Sequence, residues 1–376
     1  MIPPLRPAPP DTAKDVARVM VCDDSAVIRG GMARLLESDP QIRVVARAAN
    51  GQQALDEVKR HTIDVVVLDI EMPVMDGMTA VPLLLRADPR LRIIIASTLT
   101  TRGADIALRA LGLGAADYLP KPGTAALADD RFRAELVAKV KGLARLRRPI
   151  SRSVAPMAQH SAVPLRGAPR HAPVLMAVGS STGGPQALFS FVRALGPGVP
   201  VPVVLTQHMP AAFTPILAEH LTRLGGMPCA EARDGEALLP GHIHLAPGDR
   251  HLLVEGAPGA LRARLTSDPP ENFCRPAVDP MLRSAAVSCG GRVLVVMLTG
   301  MGHDGLAGTR QIVEAGGAAI AQDEASSVVW GMPGAIAQAG LCHLVLPLAD
   351  IAGHALALLR PAAGILAALR MERVGA

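Results

Sequence analysis

Short apolar runs and amphipathic stretches alternate about five times over residues 16–146, and this alternation constrains the fold more than any other feature of the chain. The apolar runs have the length and composition of buried strands. They cover residues 19–21, 44–46, 65–68, 93–95 and 117–119. Strands that alternate with helices predict a parallel sheet wrapped by helices, which is an α/β fold.

Three further apolar runs in the carboxyl-terminal half each lead into a loop with a reactive side chain. The runs cover 174–178, 201–206 and 293–298, and the loops after them contain Ser181, His208 and Asp304 respectively. Loops at the carboxyl ends of strands in an open parallel sheet gather in one crevice, where such folds bind ligands. The sequence therefore predicts a second parallel-sheet domain with a hydrolytic site.

The loop after the first of these runs has the spacing of a nucleophile turn. Residues 179–183 read G-S-S-T-G, which matches G-x-S-x-G and selects Ser181 over Ser180. A helix predicted from Pro185 onward would offer unpaired N–H groups to an oxyanion. A phosphate-cradling loop is the alternative, but the chain has neither the P-loop lysine nor G-x-G-x-x-G.

His208 and Asp304 are stronger candidates for catalytic residues together than either is alone. Taken alone, His208 would be a structural histidine and Asp304 the cap of a helix that starts near Gly305. A serine nucleophile needs a base, and that base needs a carboxylate to fix its tautomer and stabilise imidazolium. The order Ser, His, Asp along the chain differs from the orders of the α/β-hydrolases, chymotrypsin and subtilisin.

Acidic side chains follow two of the predicted strands in the amino-terminal half. Asp23 and Asp24 come after the first strand and Asp69 after the third. Three carboxylates at one sheet edge repel each other unless a hard divalent cation such as Mg²⁺ binds there. Ser97 and Lys121 follow the fourth and fifth strands, where a hydroxyl and an ammonium group suit a phosphoryl group.

These positions closely resemble those of response-regulator receiver domains over roughly residues 16–140. The matching residues are Asp23, Asp24, Asp69, Met72, Pro73, Asp76, Gly77, Ser97, Tyr118, Lys121 and Pro122. The resemblance implies a flavodoxin-like fold in which Asp69 accepts phosphate from a histidine kinase. It also implies that Asp23, Asp24 and Asp69 hold Mg²⁺, that Lys121 contacts the phosphoryl group, and that Ser97 and Tyr118 relay its presence.

The two halves together resemble the chemotaxis protein-glutamate methylesterases, which are receiver-regulated enzymes. Further matches lie at residues 243–248, 275–276, 278–280 and 322–333. The resemblance implies a Rossmann-like catalytic domain with Ser181 as nucleophile, His208 as base and acid, and Asp304 as orienting carboxylate. The amides of Met301 and Thr182 become the predicted oxyanion donors. Ser180 and Asp249 stand where alanine and glycine are common.

The implied reaction is hydrolysis of glutamate γ-methyl esters on chemoreceptors, and some members of the family also deamidate receptor glutamines. The resemblance implies no cofactor in the catalytic half, a chemotaxis histidine kinase as phosphodonor, and a receiver that blocks the cleft until it is phosphorylated. A response regulator with a DNA-binding or non-catalytic receptor-docking output is the alternative. About 200 residues of strands and Gly-rich loops are unlike a three-helix DNA reader.

Composition sets the remaining expectations. We predict a Pro-rich disordered tail over 1–15, a receiver over 16–146, a basic Pro-rich linker over 147–172 and the catalytic domain over 173–376. The chain carries a formal charge of +5 but only 2% aromatic residues, which disfavours nucleic-acid stacking. Five scattered cysteines and the absence of an export signal or long apolar span indicate a cytoplasmic protein without membrane insertion.

Overall fold

The computed structural model describes residues 16–98, 100–123, 127, 129–147, 165–166 and 171–359. The predicted tail over 1–15, most of the predicted linker and residues 360–376 lie outside the described residues. No helix in the described part of the chain is both long enough and apolar enough to span a membrane.

The amino-terminal half forms a sheet of five strands in the order β2-β1-β3-β4-β5, with β1 parallel to both of its neighbours. The strands are β1 (Ala17–Cys22), β2 (Ile42–Ala48), β3 (Val65–Asp69), β4 (Arg92–Ser97) and β5 (Asp117–Pro120). All five residues of β3 are buried, as expected of a central strand covered by helices on both faces. The order is that of flavodoxin-like folds, which confirms the predicted fold class.

Five helices accompany this sheet: α1 (Ala26–Glu37), α2 (Gly51–Arg60), α3 (Gly77–Ala87), α4 (Thr101–Gly112) and α5 (Asp130–Arg147). Four of them begin at a side chain that accepts a backbone N–H of the first turn, namely Ser25, Asn50, Asp76 and Thr100. Such caps satisfy N–H groups that have no partner within the helix. α5 extends to Arg147, the first residue of the predicted linker.

The carboxyl-terminal half forms a seven-stranded sheet in the order β14-β13-β12-β6-β7-β9-β8, and every pair in it is parallel. Its strands are β6 (Leu175–Ser180), β7 (Val203–Gln207), β8 (Cys229–Glu231), β9 (Ile243–Leu245), β12 (Val293–Met297), β13 (Ala318–Gln322) and β14 (Leu344–Leu346). β10 (His251–Glu255) and β11 (Arg262–Thr266) form a separate antiparallel pair. The second half is thus also a parallel α/β domain, as predicted.

Two groups of helices pack against the seven-stranded sheet. The helices are α6 (Gly184–Leu195), α7 (Thr214–Gly225), α8 (Val278–Cys289), α9 (Leu306–Glu314), α10 (Met332–Gln338) and α11 (Leu348–Leu359). α6 contacts α7 and α11, whereas α9 contacts α8 and α10. Side chains of α8, α9 and α10 share one buried cluster with alternate residues of β6 and β12, which identifies the sheet face that they cover.

The order of the strands positions the three predicted catalytic loops. The chain runs outward from β6 through β7 on one side, and later returns to place β12 on the other side of β6. The strand order therefore reverses between β6 and β12, and ligands bind at the carboxyl ends of strands beside such a reversal. The loops after β6, β7 and β12 contain Ser181, His208 and Asp304.

Candidate active site

Ser181 lies in the tight turn between β6 and α6. Its N–H donates to the carbonyl of Thr299 (3.0 Å), and its carbonyl accepts the N–H of Gly184 (2.7 Å). Gly183 has a φ of +75°, and a Cβ atom at Gly184 would lie 2.0 Å from Oε1 of Gln207. Gly183, the last glycine of the motif, is therefore required by its left-handed backbone, and Gly184, which follows the motif, is required by close packing.

Ser180 is the buried neighbour that supports this turn. Its hydroxyl donates to Gln207 Oε1 (2.6 Å), while Gln207 Nε2 donates to the carbonyls of Ser181 (3.0 Å) and His208 (3.1 Å). Ser180 has no exposed surface, whereas Ser181 is half-buried. The serine at position 180, where alanine is common, thus supplies a structural hydrogen bond, and Ser181 is the one of the two serines with exposed surface.

His208 follows β7 beside the serine turn, because Ser180 and Gln207 are paired residues of β6 and β7. Its N–H donates to the carbonyl of Ser180 (3.1 Å), and its ring Nε2 lies 2.8 Å from Oδ2 of Asp304. Nδ1 lies 3.4 Å from Sγ of Cys274. Because Asp304 occupies Nε2, Nδ1 is the only ring nitrogen that a serine proton could reach, and it does so only in place of the Cys274 contact. Within the described residues no hydrogen bond joins the Ser181 hydroxyl to this ring.

The Asp304 carboxylate is buried and receives four hydrogen bonds. Oδ2 accepts from His208 Nε2 (2.8 Å) and the Val278 N–H (2.6 Å). Oδ1 accepts from Asn272 Nδ2 and the Asp279 N–H, both at 3.0 Å. Asp304 is therefore not the cap of α9 considered above, since the N-cap of α9 is Gly305, without a side-chain hydrogen bond, and the two N–H groups that Asp304 binds belong to α8.

The electrostatics of the pair favour an imidazolium ion beside a carboxylate. Burial lowers the pKa of His208, but the hydrogen bonds between its ring and the side chains of Asp304 and Cys274, together with the charges of both groups, outweigh burial and raise that pKa to about 9. Burial alone would raise the pKa of Asp304, yet its hydrogen bonds and the His208 charge keep it below the usual range. Burial and the negative charge of Asp304 raise the pKa of the neighbouring Asp279.

The two predicted oxyanion donors border Ser181. The Thr182 side chain is buried, and its carbonyl accepts the Thr299 hydroxyl (2.9 Å). Gly300, which precedes Met301, is tied by backbone hydrogen bonds to Val329 and Met332, and a Cβ atom there would lie 3.0 Å from Cβ of Ser181. Among the described residues the N–H groups of Thr182 and Met301 have no hydrogen-bond partner, so both remain available to an oxyanion.

Asp23, Asp24 and Asp69 form a cluster of carboxylates in the amino-terminal half. One oxygen from each of them lies within 4.8 Å of the others. Asp69 ends β3 and is buried, as is Asp23, while Asp24 is exposed. A set of three oxygen ligands of negative charge fits Mg²⁺, which prefers carboxylates together with water.

The other three predicted residues of this half lie in or directly after β4 and β5. Ser97 is the last residue of β4, and its hydroxyl donates to the carbonyl of Gly103 (2.7 Å). Lys121 follows β5, and its N–H donates to the carbonyl of Ser97 (2.7 Å). Tyr118 lies within β5 and is buried.

Four side chains that support the site escaped sequence reasoning: Gln207, Asn272, Cys274 and Asp279. Asp279 belongs to a stretch matched by resemblance, but nothing in the sequence linked it to Asp304. Asn272 and Cys274 are distant from the triad residues along the chain, and neither lies in a recognised motif. Gln207 is the one of the four that the sequence could have indicated, because it directly precedes the candidate residue His208.

Comparison with known proteins decides the family. The model of the CheB methylesterase family matches residues 176–355, and that of the response regulator receiver domain matches residues 19–131. A protein-glutamate methylesterase/protein-glutamine glutaminase of Azospirillum brasilense is 55% identical over 376 residues, covering 92% of this chain and 95% of that protein. The chain belongs to the CheB methylesterase family.

Other CheB relatives are similarly close. A group 2 operon protein of the same description from Rhodospirillum centenum is 52% identical over 91% of this chain and 94% of its own length. Among solved structures, the CheB methylesterase catalytic domain of Thermotoga maritima is 37% identical, with a TM-score of 0.48, and covers 50% of this chain and 100% of that chain. The two family models assign a receiver domain to residues 19–131 and a CheB methylesterase domain to residues 176–355.

Proposed function

We propose that this chain is a phosphorylation-regulated protein-glutamate methylesterase that hydrolyses γ-methyl esters of chemoreceptor glutamates and also deamidates receptor glutamines. The activity follows from close relatives of that description. The single observation that carries the mechanism is the placement of Ser181, in a tight turn, beside a histidine whose Nε2 lies 2.8 Å from a buried carboxylate.

Ser181 Oγ attacks the γ-carbonyl carbon of the substrate as its proton passes to His208 Nδ1. The N–H groups of Thr182 and Met301 donate to the oxyanion, a contribution of roughly a hundred- to a thousandfold for one such donor. His208 then protonates the leaving methoxide, which departs as methanol. Water attacks the acyl-enzyme with His208 as base, and the glutamate carboxylate is released.

Deamidation uses the same acyl-enzyme, with ammonia as the leaving group. An amide nitrogen is a poorer leaving group than methoxide, so that reaction depends more strongly on protonation by His208. The raised pKa of His208, about 9, favours its role as an acid but leaves less of the base form at neutral pH. We therefore expect esterase activity to increase with pH as His208 loses its proton.

In the receiver domain, Asp69 is the proposed phosphoacceptor. Asp23, Asp24 and Asp69 would hold Mg²⁺, which neutralises charge around the phosphoryl group. The Lys121 ammonium would balance the added negative charge, and Ser97 with Tyr118 would respond to it. The proposed phosphodonor is a chemotaxis histidine kinase, and the proposed substrates are the cytoplasmic domains of methyl-accepting chemoreceptors, which places the enzyme in the cytoplasm.

Methanol release from methylated receptor membranes tests the proposal. We expect release by the full-length protein, faster with a small-molecule phosphodonor and Mg²⁺ than without. Ser181→Ala should release no methanol under either condition. Release that is equal for Ser181→Ala and wild type would overturn the assignment of the site, and no release by the wild type would overturn the proposed activity.

A further inference from the structure

The segment Glu271–Cys274 is a β-turn with two central residues, and its side chains contact both His208 and Asp304, here called the His–Asp pair. Glu271 and Cys274 exchange two backbone hydrogen bonds of 3.1 and 2.9 Å, and between them Asn272 and Phe273 have φ values of +51° and +64°. This is the pattern of a type I′ turn, which normally favours glycine or asparagine. Keeping phenylalanine at a positive φ costs free energy, so the conformation is held by its surroundings.

The turn is anchored to α8 by a bidentate ion pair. Arg283 donates to both carboxylate oxygens of Glu271, at 2.5 and 2.6 Å. A fork of this kind fixes direction as well as distance. Because α8 also supplies the Val278 and Asp279 N–H groups to Asp304, the turn and the carboxylate share one rigid support.

Asn272 lies between two carboxylates. Its Nδ2 donates to Asp304 Oδ1 (3.0 Å) and to Asp279 Oδ2 (3.1 Å). Asp279 Oδ1 accepts the Gly308 N–H (2.7 Å). One amide group thus separates two like charges and fixes the rotation of the carboxylate that orients His208.

Cys274 occupies the other side of the imidazole. Its Sγ lies 3.4 Å from Nδ1, the ring atom that Asp304 does not bind. Asp304 and Cys274 are the two titratable groups that hydrogen bond the ring, and both raise the pKa of His208. Cys274 is also the one cysteine of five that is not buried.

We propose that the Glu271–Cys274 turn positions the His–Asp pair, with Asn272 holding the Asp304 carboxylate and Cys274 holding the His208 ring through Nδ1. This inference rests on the proposed function. Asn272 and Cys274 act through Asp304 and His208, so they are positioning residues. Ser181 must replace the thiol as the partner of Nδ1 when it transfers its proton.

The first test measures the pKa of His208 in the full-length protein by NMR, with ring-labelled histidine and His208→Gln to assign the signal. Cys274→Ala should lower that pKa by roughly 0.4 to 1 pH unit, the size of one hydrogen bond. Phe273→Gly is the matched control, because it relaxes the same turn without removing either contact, and it should leave the pKa unchanged. An unchanged pKa in Cys274→Ala overturns the role of the thiol.

The second test addresses Asn272. Asn272→Gly removes the amide but accepts the positive φ, and Asn272→Asp keeps the shape but replaces the donor with a third carboxylate. Both should lower kcat for methanol release roughly ten- to hundredfold, with KM little changed. The downfield NMR signal of the His208 Nε2–H proton should broaden or vanish in both. Wild-type kcat together with an intact downfield signal overturns the role of Asn272.

The two readouts separate this inference from the proposed function. The NMR measurements need no substrate. If wild type releases no methanol but the pKa and the downfield signal respond as described, the proposed function fails and the positioning of the pair stands. If wild type is active but neither NMR readout responds, the positioning role fails and the proposed function stands.

Discussion

The two adjacent serines of the nucleophile turn differ in what they touch, and this difference makes a prediction. Ser181→Ala should abolish esterase activity and leave the fold intact, because the half-buried hydroxyl makes no side-chain hydrogen bond within the described residues. Ser180→Ala should keep most of the activity but lower the free energy of unfolding by about 1–3 kcal/mol, since it leaves the buried Gln207 Oε1 without its donor.

Methanol release and urea unfolding of the two variants, side by side, check this prediction. Each variant serves as the control for the other. Equal losses of activity in the two variants would show that the nucleophile has been misassigned.

Asp304 receives the first N–H groups of α8, and its proposed catalytic task is to orient His208. Asp304→Asn keeps the size of the side chain but removes its charge. We expect kcat to fall by several orders of magnitude, by analogy with the roughly ten-thousandfold loss in a serine protease. The pKa of His208 should also fall from about 9, because a hydrogen bond and a charge that raise it are gone.

The dependence of kcat/KM on pH provides the measurement. With the neutral imidazole as the proposed base, the wild-type rate should increase as pH rises through the pKa of His208, and in Asp304→Asn this rise should occur at lower pH. A variant with near-wild-type turnover would reduce Asp304 to a cap of α8.

At the scale of elements, a cluster of buried charges ties α5 to the receiver sheet. Arg147, the last residue of α5, donates to Asp64 Oδ1 (2.8 Å), to Asp88 and to the carbonyl of Ile63. Arg18 of β1 binds the same carboxylate in a bidentate pair, in which Nη2 donates to Asp64 Oδ1 (2.9 Å) and Nε donates to Asp64 Oδ2 (3.1 Å). Asp64→Asn should lower the stability of the receiver by about 1–3 kcal/mol, because the buried Arg147 would keep only Asp88 as a carboxylate partner and Arg18 would lose its own.

Lowering the pH should also reduce the stability of the receiver, because it protonates Asp64. Burial raises the pKa of Asp64, but the Arg18 hydrogen bonds and the charges of both arginines outweigh it and hold that pKa below its ordinary value. The stabilisation is therefore present above the unfolded-state pKa of about 3.9 and is lost as pH falls through the lower folded value. Denaturant unfolding of the receiver transition between pH 7 and pH 3 measures it.

Asp56→Asn is the control for this pair of measurements. Asp56 and Lys59 form an exposed ion pair at 3.7 Å, which should contribute less than about 1 kcal/mol. If Asp64→Asn is no more destabilising than Asp56→Asn, the buried cluster does not stabilise the receiver.

The sequence predicted elements better than contacts. The apolar runs at 65–68 and 293–298 correspond to the buried strands β3 and β12, because continuous apolar runs rich in valine and leucine suit a parallel sheet covered on both faces. Asp249, which stands where glycine is common in the resembling family, has a φ of +62°, which explains the preference for glycine. By contrast, the contacts of Asn272 and Cys274 join segments far apart along the chain, and no periodicity or motif encodes such pairs.

At the scale of the whole molecule, a phosphoacceptor half and a hydrolytic half lie in one chain, and the resemblance implies that the unphosphorylated receiver restrains the esterase. A fragment that begins near Pro173 should then release methanol faster than the unphosphorylated full-length protein. Full-length Asp69→Ala should stay at the low basal rate with any phosphodonor, because the acceptor carboxylate is gone. A tenfold activation requires only about 1.4 kcal/mol of differential stabilisation of the open state.

Initial rates of the three proteins on the same receptor membranes, with and without phosphodonor, decide between two modes of regulation. Relief of a block predicts a fast fragment, because removal of the receiver mimics the signal. Delivery of the catalytic half to its substrate by the receiver predicts the opposite, since the fragment would lose its means of reaching the membrane-bound receptors. A small soluble ester provides a second way to distinguish the two modes of regulation. This substrate needs no delivery to a membrane, so the full-length protein should hydrolyse it more slowly than the fragment only if the receiver blocks the site.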